Sequence, residues 1–107
     1  MTEIVRDPQL RVVVSGEIDF SNAGEMRRAV EQALAECPQG FVIDLSGVTY
    51  LDSSGIQVIL YAYKHVISDG GELTLVVTDR HVYDILHLIH LDEFPGMSVH
   101  YDLQAAA

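Results

Sequence analysis

Hydrophobic and polar positions follow two rhythms along this chain, and the two rhythms take turns. Residues 10–15, Leu-Arg-Val-Val-Val-Ser, are apolar and β-branched and run into Gly16, which predicts a strand. Residues 3–6 predict a short edge strand ahead of it, stopped near Pro8. Asp19-Phe-Ser-Asn-Ala is turn chemistry leading into a helix, with Asn22 and Glu25 spaced as a capping box. Met26, Val30, Ala33 and Leu34 then recur at helical spacing until Pro38 and Gly40 stop the run. Residues 41–45, Phe-Val-Ile-Asp-Leu, predict a buried strand. Asp52-Ser-Ser-Gly opens a second helix, whose apolar positions are Ile56, Ile59, Leu60, Tyr63, Val66 and Ile67, ended by Gly70-Gly71. Residues 73–77 predict a strand, about 80–90 a third helix on Val82, Ile85, Leu86 and Ile89, and 97–101 a weak last strand. The Gln-Ala-Ala-Ala tail is expected to fray.

Strands that alternate with helices predict an α/β fold: a mixed, mostly parallel sheet of four or five strands covered by three main helices. In such sheets functional groups gather where strand C-termini feed helix N-termini. Two such junctions are rich in polar groups, Gly16-Glu-Ile-Asp-Phe-Ser and Tyr50-Leu-Asp-Ser-Ser-Gly.

The length of 107 residues predicts one domain, 1–107, with its core at about 10–100. A chain of this size buries roughly 65% of its unfolded surface. Sixteen acidic against six basic residues give a net charge of −10, which argues against nucleic acid and against anionic membrane surfaces as partners. A single cysteine, Cys37, excludes an internal disulfide and a cysteine-based zinc cage. With no 18-residue apolar run and no leader-like N-terminus, a cytoplasmic setting is expected.

The segment Val42-Ile-Asp-Leu-Ser-Gly-Val-Thr-Tyr-Leu-Asp-Ser-Ser-Gly-Ile carries the most information. Taken locally it is a strand, a turn and a capped helix. Ser54 with Gln57 three residues on fits a capping box, and Asp52 or Ser53 could serve as the cap instead. Taken whole, it resembles the signature of the STAS domain of anti-sigma factor antagonists. Gly16-Glu-Ile-Asp, Gly70-Gly71-Glu-Leu-Thr-Leu-Val and Ile85-Leu-His-Leu-Ile-His-Leu-Asp match that family in order and spacing. The resemblance implies a switch rather than an enzyme, with no catalytic residue, cofactor or metal of its own. The implied partner is an anti-sigma factor that is also a serine kinase of the histidine-kinase-like ATPase fold. That kinase would phosphorylate the first serine of the motif, Ser53, and a PP2C-type phosphatase would reverse the modification. Asp19, Asp52, Ser54, Gly55 and Gln57 match positions in or near the partner contact. Gly55 would permit close approach of a partner backbone. Gln57 stands where the family often has glycine. His90 stands where a glycine often ends the third helix, which disfavours that C-cap.

Other chemistries fit less well. Ser53 as a nucleophile would need a base and an oxyanion hole, and Leu51-Asp-Ser-Ser-Gly is not a G-x-S-x-G elbow. Asp44, taken as the end of a strand, is placed like a receiver-domain acceptor, but the only lysine, Lys64, lies within the second helix. His87 and His90, with Asp84 and Asp92, could be a surface metal site or a solvated helix end. Nucleotide binding at the Asp52–Gly55 turn is a further reading. So is an unphosphorylated STAS adaptor subunit of a lipid-transport ABC complex or signalling scaffold. Val58, Tyr61 and Ala62 fall off the main stripe of the second helix. They form either an exposed apolar ridge or part of a wide face buried between the sheet and a neighbouring helix. A monomer is expected, with a weak dimer through that ridge as the alternative.

Overall fold

A computed structural model describes residues 1–6, 9–36 and 39–102. Its elements are β1 (Thr2–Val5), β2 (Arg11–Ile18), α1 (Ala23–Leu34), β3 (Gly40–Leu51), α2 (Ser53–Ser68), β4 (Glu72–Val77), α3 (Arg80–Leu88), a 3₁₀ turn (Leu91–Glu93) and β5 (Met97–Tyr101). The expectations for Pro8, Cys37, Pro38 and the Gln-Ala-Ala-Ala tail lie outside the described residues.

The five strands form one sheet in the order β1-β2-β3-β4-β5. β1 runs antiparallel to β2, and every other neighbouring pair is parallel. Each parallel step is bridged by one helix. The predicted mixed, mostly parallel sheet with three helices is the observed one.

Alternation along the strands determines which face is buried. Val12 and Val14 of β2, Phe41, Ile43 and Leu45 of β3, and Leu73, Leu75 and Val77 of β4 are all buried. Met26, Val30 and Ala33 of α1, Val58, Ile59, Ala62 and Val66 of α2, and Val82 and Leu86 of α3 join them in one cluster. Burying each Phe or Leu of this set contributes about 1.5–3 kcal/mol. The opposite face carries the row Val13, Asp44, Val76 and His100 across neighbouring strands, in register.

β3 is longer than predicted, at 12 residues. It pairs with β4 only from Gly40 to Asp44, but with β2 as far as Leu51. Beyond Asp44 the strands β2 and β3 continue as a two-stranded arm. Where β4 leaves, the buried Thr78 hydroxyl donates to the Ser46 carbonyl at 2.7 Å and satisfies it in place of a strand. Asp44 therefore lies inside β3 rather than at its end, and its Oδ1 accepts from the Ser46 amide at 2.9 Å. Gly16, at φ +91°, sits at a register shift in the arm and takes a backbone conformation that L side chains rarely adopt.

The buried face of α2 is rotated from the predicted stripe. It centres on Gly55, Val58, Ile59, Ala62 and Val66. Val58 is 3% exposed and Ala62 is fully buried, so the exposed-ridge reading gives way to the wide buried face. The cause is tertiary. Residues from α1 and from the sheet meet α2 in the one core cluster, and the segment ahead of β5 meets it on another side. There the Tyr63 hydroxyl donates to the Pro95 carbonyl at 2.6 Å, and the Tyr63 ring packs on Phe94. Tyr61, the third residue of that ridge, is half-buried.

α3 ends as the glycine comparison anticipated, but without the glycine. His90 takes the left-handed conformation, φ 61° and ψ 27°, and its Nδ1 contacts the Glu93 carboxylate. That backbone costs an L residue about 1–2 kcal/mol.

Candidate functional site at the β2–α1 and β3–α2 junctions

The arm brings the two polar junctions together. Ile18 pairs with Leu51 in the parallel ladder, and the Asp52 amide donates to the Ile18 carbonyl at 3.1 Å. The loop after β2 and the turn before α2 thus leave the sheet side by side.

Asp52 is the N-cap of α2. Its backbone is extended, and its Oδ1 accepts from the Ser54 amide at 2.8 Å. This satisfies one of the free donors of the first turn. The cap is Asp52, and Ser54 does not take the role a capping box would give it. Ser53 is the first helical residue and is exposed. Ser54 is half-buried.

Gly55 is buried and faces inward. A Cβ there would meet Leu51 Cδ1 at 2.4 Å and Ile18 Cγ2 at 2.9 Å. Both distances are too short for real atoms, so the missing side chain lets α2 sit down on the arm. The close approach that this glycine permits is to the chain's own Leu51 and Ile18.

The β2–α1 loop is built on Asp19. Its Oδ1 accepts from the Ser21 hydroxyl at 2.6 Å and from the Ser21 amide at 2.9 Å. These bonds, the hydroxyl first, hold the Asp19 carboxyl below its ordinary range. Asn22 does not cap α1 with its side chain. Its Oδ1 instead accepts from the Asp19 amide at 2.9 Å, and its Nδ2 donates to the Glu17 carbonyl at 2.7 Å. Asn22 therefore stitches the loop closed, which overturns the expected capping box with Glu25.

Between the two junctions lies a shallow cleft of about 220 Å³. Ser54 and Gln57 line it from α2, Gly24 and Arg27 from α1, and Phe20 from the loop. Enclosed small-molecule sites are usually about 300–1,000 Å³, so this depression is small for one. Phe20 is 88% exposed. Neither Phe20 nor Arg27 stood out in the sequence. The available signal was an aromatic residue set among turn residues, where it has no strand or helix face to bury it.

Three of the five histidines are engaged elsewhere. His65 Nδ1 lies 3.1 Å from the Tyr61 carbonyl oxygen, within α2. His87 Nδ1 lies 2.9 Å from Asp92 Oδ2, and this carboxylate holds the imidazole above its ordinary range. His87 and His90 face different carboxylates, Asp92 and Glu93, instead of converging.

The STAS domain model matches residues 2–106. This chain belongs to the STAS domain family. The STAS domain is 34% identical over 90 residues to an anti-sigma-B factor antagonist of Listeria monocytogenes, covering 81% of this chain and 71% of that protein. It is 28% identical over 85 residues to a STAS-domain containing protein of Pseudomonas aeruginosa, covering 79% of this chain and 83% of that one. Among solved structures, an anti-sigma factor antagonist from Mycobacterium paratuberculosis superimposes with a TM-score of 0.82 at 30% identity, over 99% of this chain and 89% of the other. No helix among the described residues of the domain is long and apolar enough to cross a membrane.

Proposed function

We propose that this protein is an anti-sigma factor antagonist whose binding is switched off by phosphorylation of Ser53. The observation that carries this reading is a difference in exposure within one motif. Asp52 is occupied as the helix cap, Ser54 is half-buried in the cleft and Gly55 is packed on the arm, while Ser53 stands free. Relatives named as anti-sigma factor antagonists support the antagonist reading.

The partner is an anti-sigma factor that is also a serine kinase of the histidine-kinase-like ATPase fold. Binding by the unmodified protein occupies that partner and frees the sigma factor. The kinase then passes the γ-phosphoryl group of ATP to Ser53 Oγ and ADP leaves. A PP2C-type phosphatase hydrolyses the phosphoester and restores binding. Chemistry resides in the two partners, and this chain contributes surface and acceptor. Asp52 positions Ser53, Gly55 seats the helix that carries it, and Asp19, Ser54 and Gln57 line the contact.

The energetics of such a switch are coherent. Phosphate adds about −1.5 to −2 charge at neutral pH. At the first helical position it meets free backbone amides and the positive end of the helix dipole, so the fold tolerates it. A docked interface does not, because a dianion beside Asp52 must be desolvated. A penalty of about 3–4 kcal/mol weakens affinity by a few hundredfold.

The test is phosphopeptide mapping after incubation with ATP and each histidine-kinase-like anti-sigma factor of the same cell. One phosphoryl group on Ser53 is expected. Ser53→Asp should fold normally and fail to bind that kinase, while Ser53→Ala should bind and resist ATP-driven release. Modification by none of the kinases would overturn the switch and favour an unregulated adaptor in a lipid-transport ABC complex or signalling scaffold.

A further inference from the structure

The cleft beside the switch serine does not end at Gln57. A second depression, of about 260 Å³, continues from Gln57 along α2 over Leu60, Tyr61 and Lys64. Gln57 lines both, so the two form one strip from the Phe20 loop toward the middle of α2. Its charge is unusual for this molecule. The chain carries sixteen acidic residues and six basic ones, yet among the described residues the charged ones lining the strip are Arg27 and Lys64, with Glu31 beside Arg27.

The cations are presented, not buried. The Arg27 guanidinium lies 4.1 Å from the centroid of the Tyr61 ring, and its Nε is 3.9 Å from Glu31 on the same helix. The ring lies within cation–π range of the guanidinium, and the long 3.9 Å contact to Glu31 is an exposed surface pair. Lys64 is exposed one turn further along. Leu60 supplies apolar floor beside Tyr61, whose ring is flanked by Arg27 and His65, and Phe20 projects at the far end.

We propose that this strip is the docking surface for an acidic segment of the anti-sigma partner, one with carboxylates spaced around an apolar anchor. The carboxylates pair with Arg27 and Lys64, and the anchor packs on Leu60 and Tyr61 with Phe20 closing over it. The inference rests on the antagonist reading and deepens it. An acidic segment laid beside α2 brings negative charge toward the turn that carries Ser53. A phosphate on Ser53 then repels the incoming segment as well as resisting desolvation, so one modification acts on the interface twice.

The experiment titrates the full-length protein with each histidine-kinase-like anti-sigma factor of the same cell. For the one that binds, the double substitution Arg27→Glu with Lys64→Glu is expected to weaken binding about tenfold or more, because facing like charges cost more than a lost surface pair. Arg80→Glu, at an exposed position on α3, is the control and should change nothing. Phe20→Ala should weaken binding without altering its salt dependence, whereas the double charge reversal should shift it toward tighter binding as salt rises. If the charge reversal binds like wild type while Ser53→Asp does not bind, the strip is overturned and the antagonist reading stands. Loss with Phe20→Ala alone overturns the acidic occupant in favour of an apolar one. If the charge reversal only dissolves a homodimer seen in sedimentation, the occupant is a second copy and the proposal falls. If no such kinase binds wild type, both readings fall together.

Discussion

Ser21 is worth more to the site than its separation from Ser53 in the sequence suggests. It donates twice to Asp19, and those two bonds stabilise the charged carboxylate in an otherwise exposed loop. Because the folded-state pKa of Asp19 is lowered, its contribution is present above the unfolded value and is lost as pH falls through the folded one. Ser21→Ala removes the hydroxyl donor, which is the largest cause of the shift. The Asp19 carboxyl should then titrate closer to its ordinary range, and a carbon-detected NMR titration of the side chain checks this. An unmoved titration would mean that the backbone amides alone hold the charge. Asn22 and Phe20 belong to the same loop and were the least legible residues of the site. Asn22 has the spacing of a cap, and only the position of Glu17 and Asp19 around it explains its other role. Phe20 lies far in sequence from Gln57, so no periodicity links them.

At the scale of elements, the order and type of every strand and helix were legible from rhythm alone. Boundaries and faces were less so. The end of β3 was hidden because Ser46, Gly47, Thr49 and Tyr50 interrupt the apolar run, and all four are exposed on the arm. The inward face of α2 was misjudged because its pattern is nearly apolar all round, and neighbours on more than one side decided which residues were covered most. The arm also makes a prediction. Thr78→Val keeps the shape of the side chain but removes the donor to the Ser46 carbonyl. Losing a part-buried hydrogen bond of this kind costs about 0.5–1.5 kcal/mol. Urea unfolding should register that loss with an unchanged slope, and stability within error of wild type would show that water replaces the hydroxyl there.

Across the whole molecule, charge sets the response to solvent. A net charge of −10 on 107 residues opposes compaction by self-repulsion. Salt at physiological strength screens beyond about 8 Å, which relieves repulsion between distant carboxylates before it weakens close pairs such as Arg6 with Glu36, at 2.6 Å. Thermal stability should therefore rise between low and moderate sodium chloride. A midpoint that falls with added salt would mean that the ion pairs outweigh the net charge. Net charge was plain in the sequence, but its distribution was not. Two of six basic residues lie along one strip that no acidic residue lines among the described residues, and only the packing of α1 against α2 brings them together.

The length of β3 has a further consequence. Leu51 stands seven positions beyond Asp44, the last residue paired with β4, and an extended chain of that length spans roughly 20 Å. The serine turn is thus displaced to one corner, away from β4, β5 and α3, which complete the core on their own side. Mutations at the exposed positions of that corner can be sampled with little effect on folding, while Ile18, Leu51 and Gly55 beneath them hold the turn in place. A duplicated gene could acquire a new correspondent by rewriting a few exposed letters on the arm, while inheriting a scaffold that never has to be reinvented.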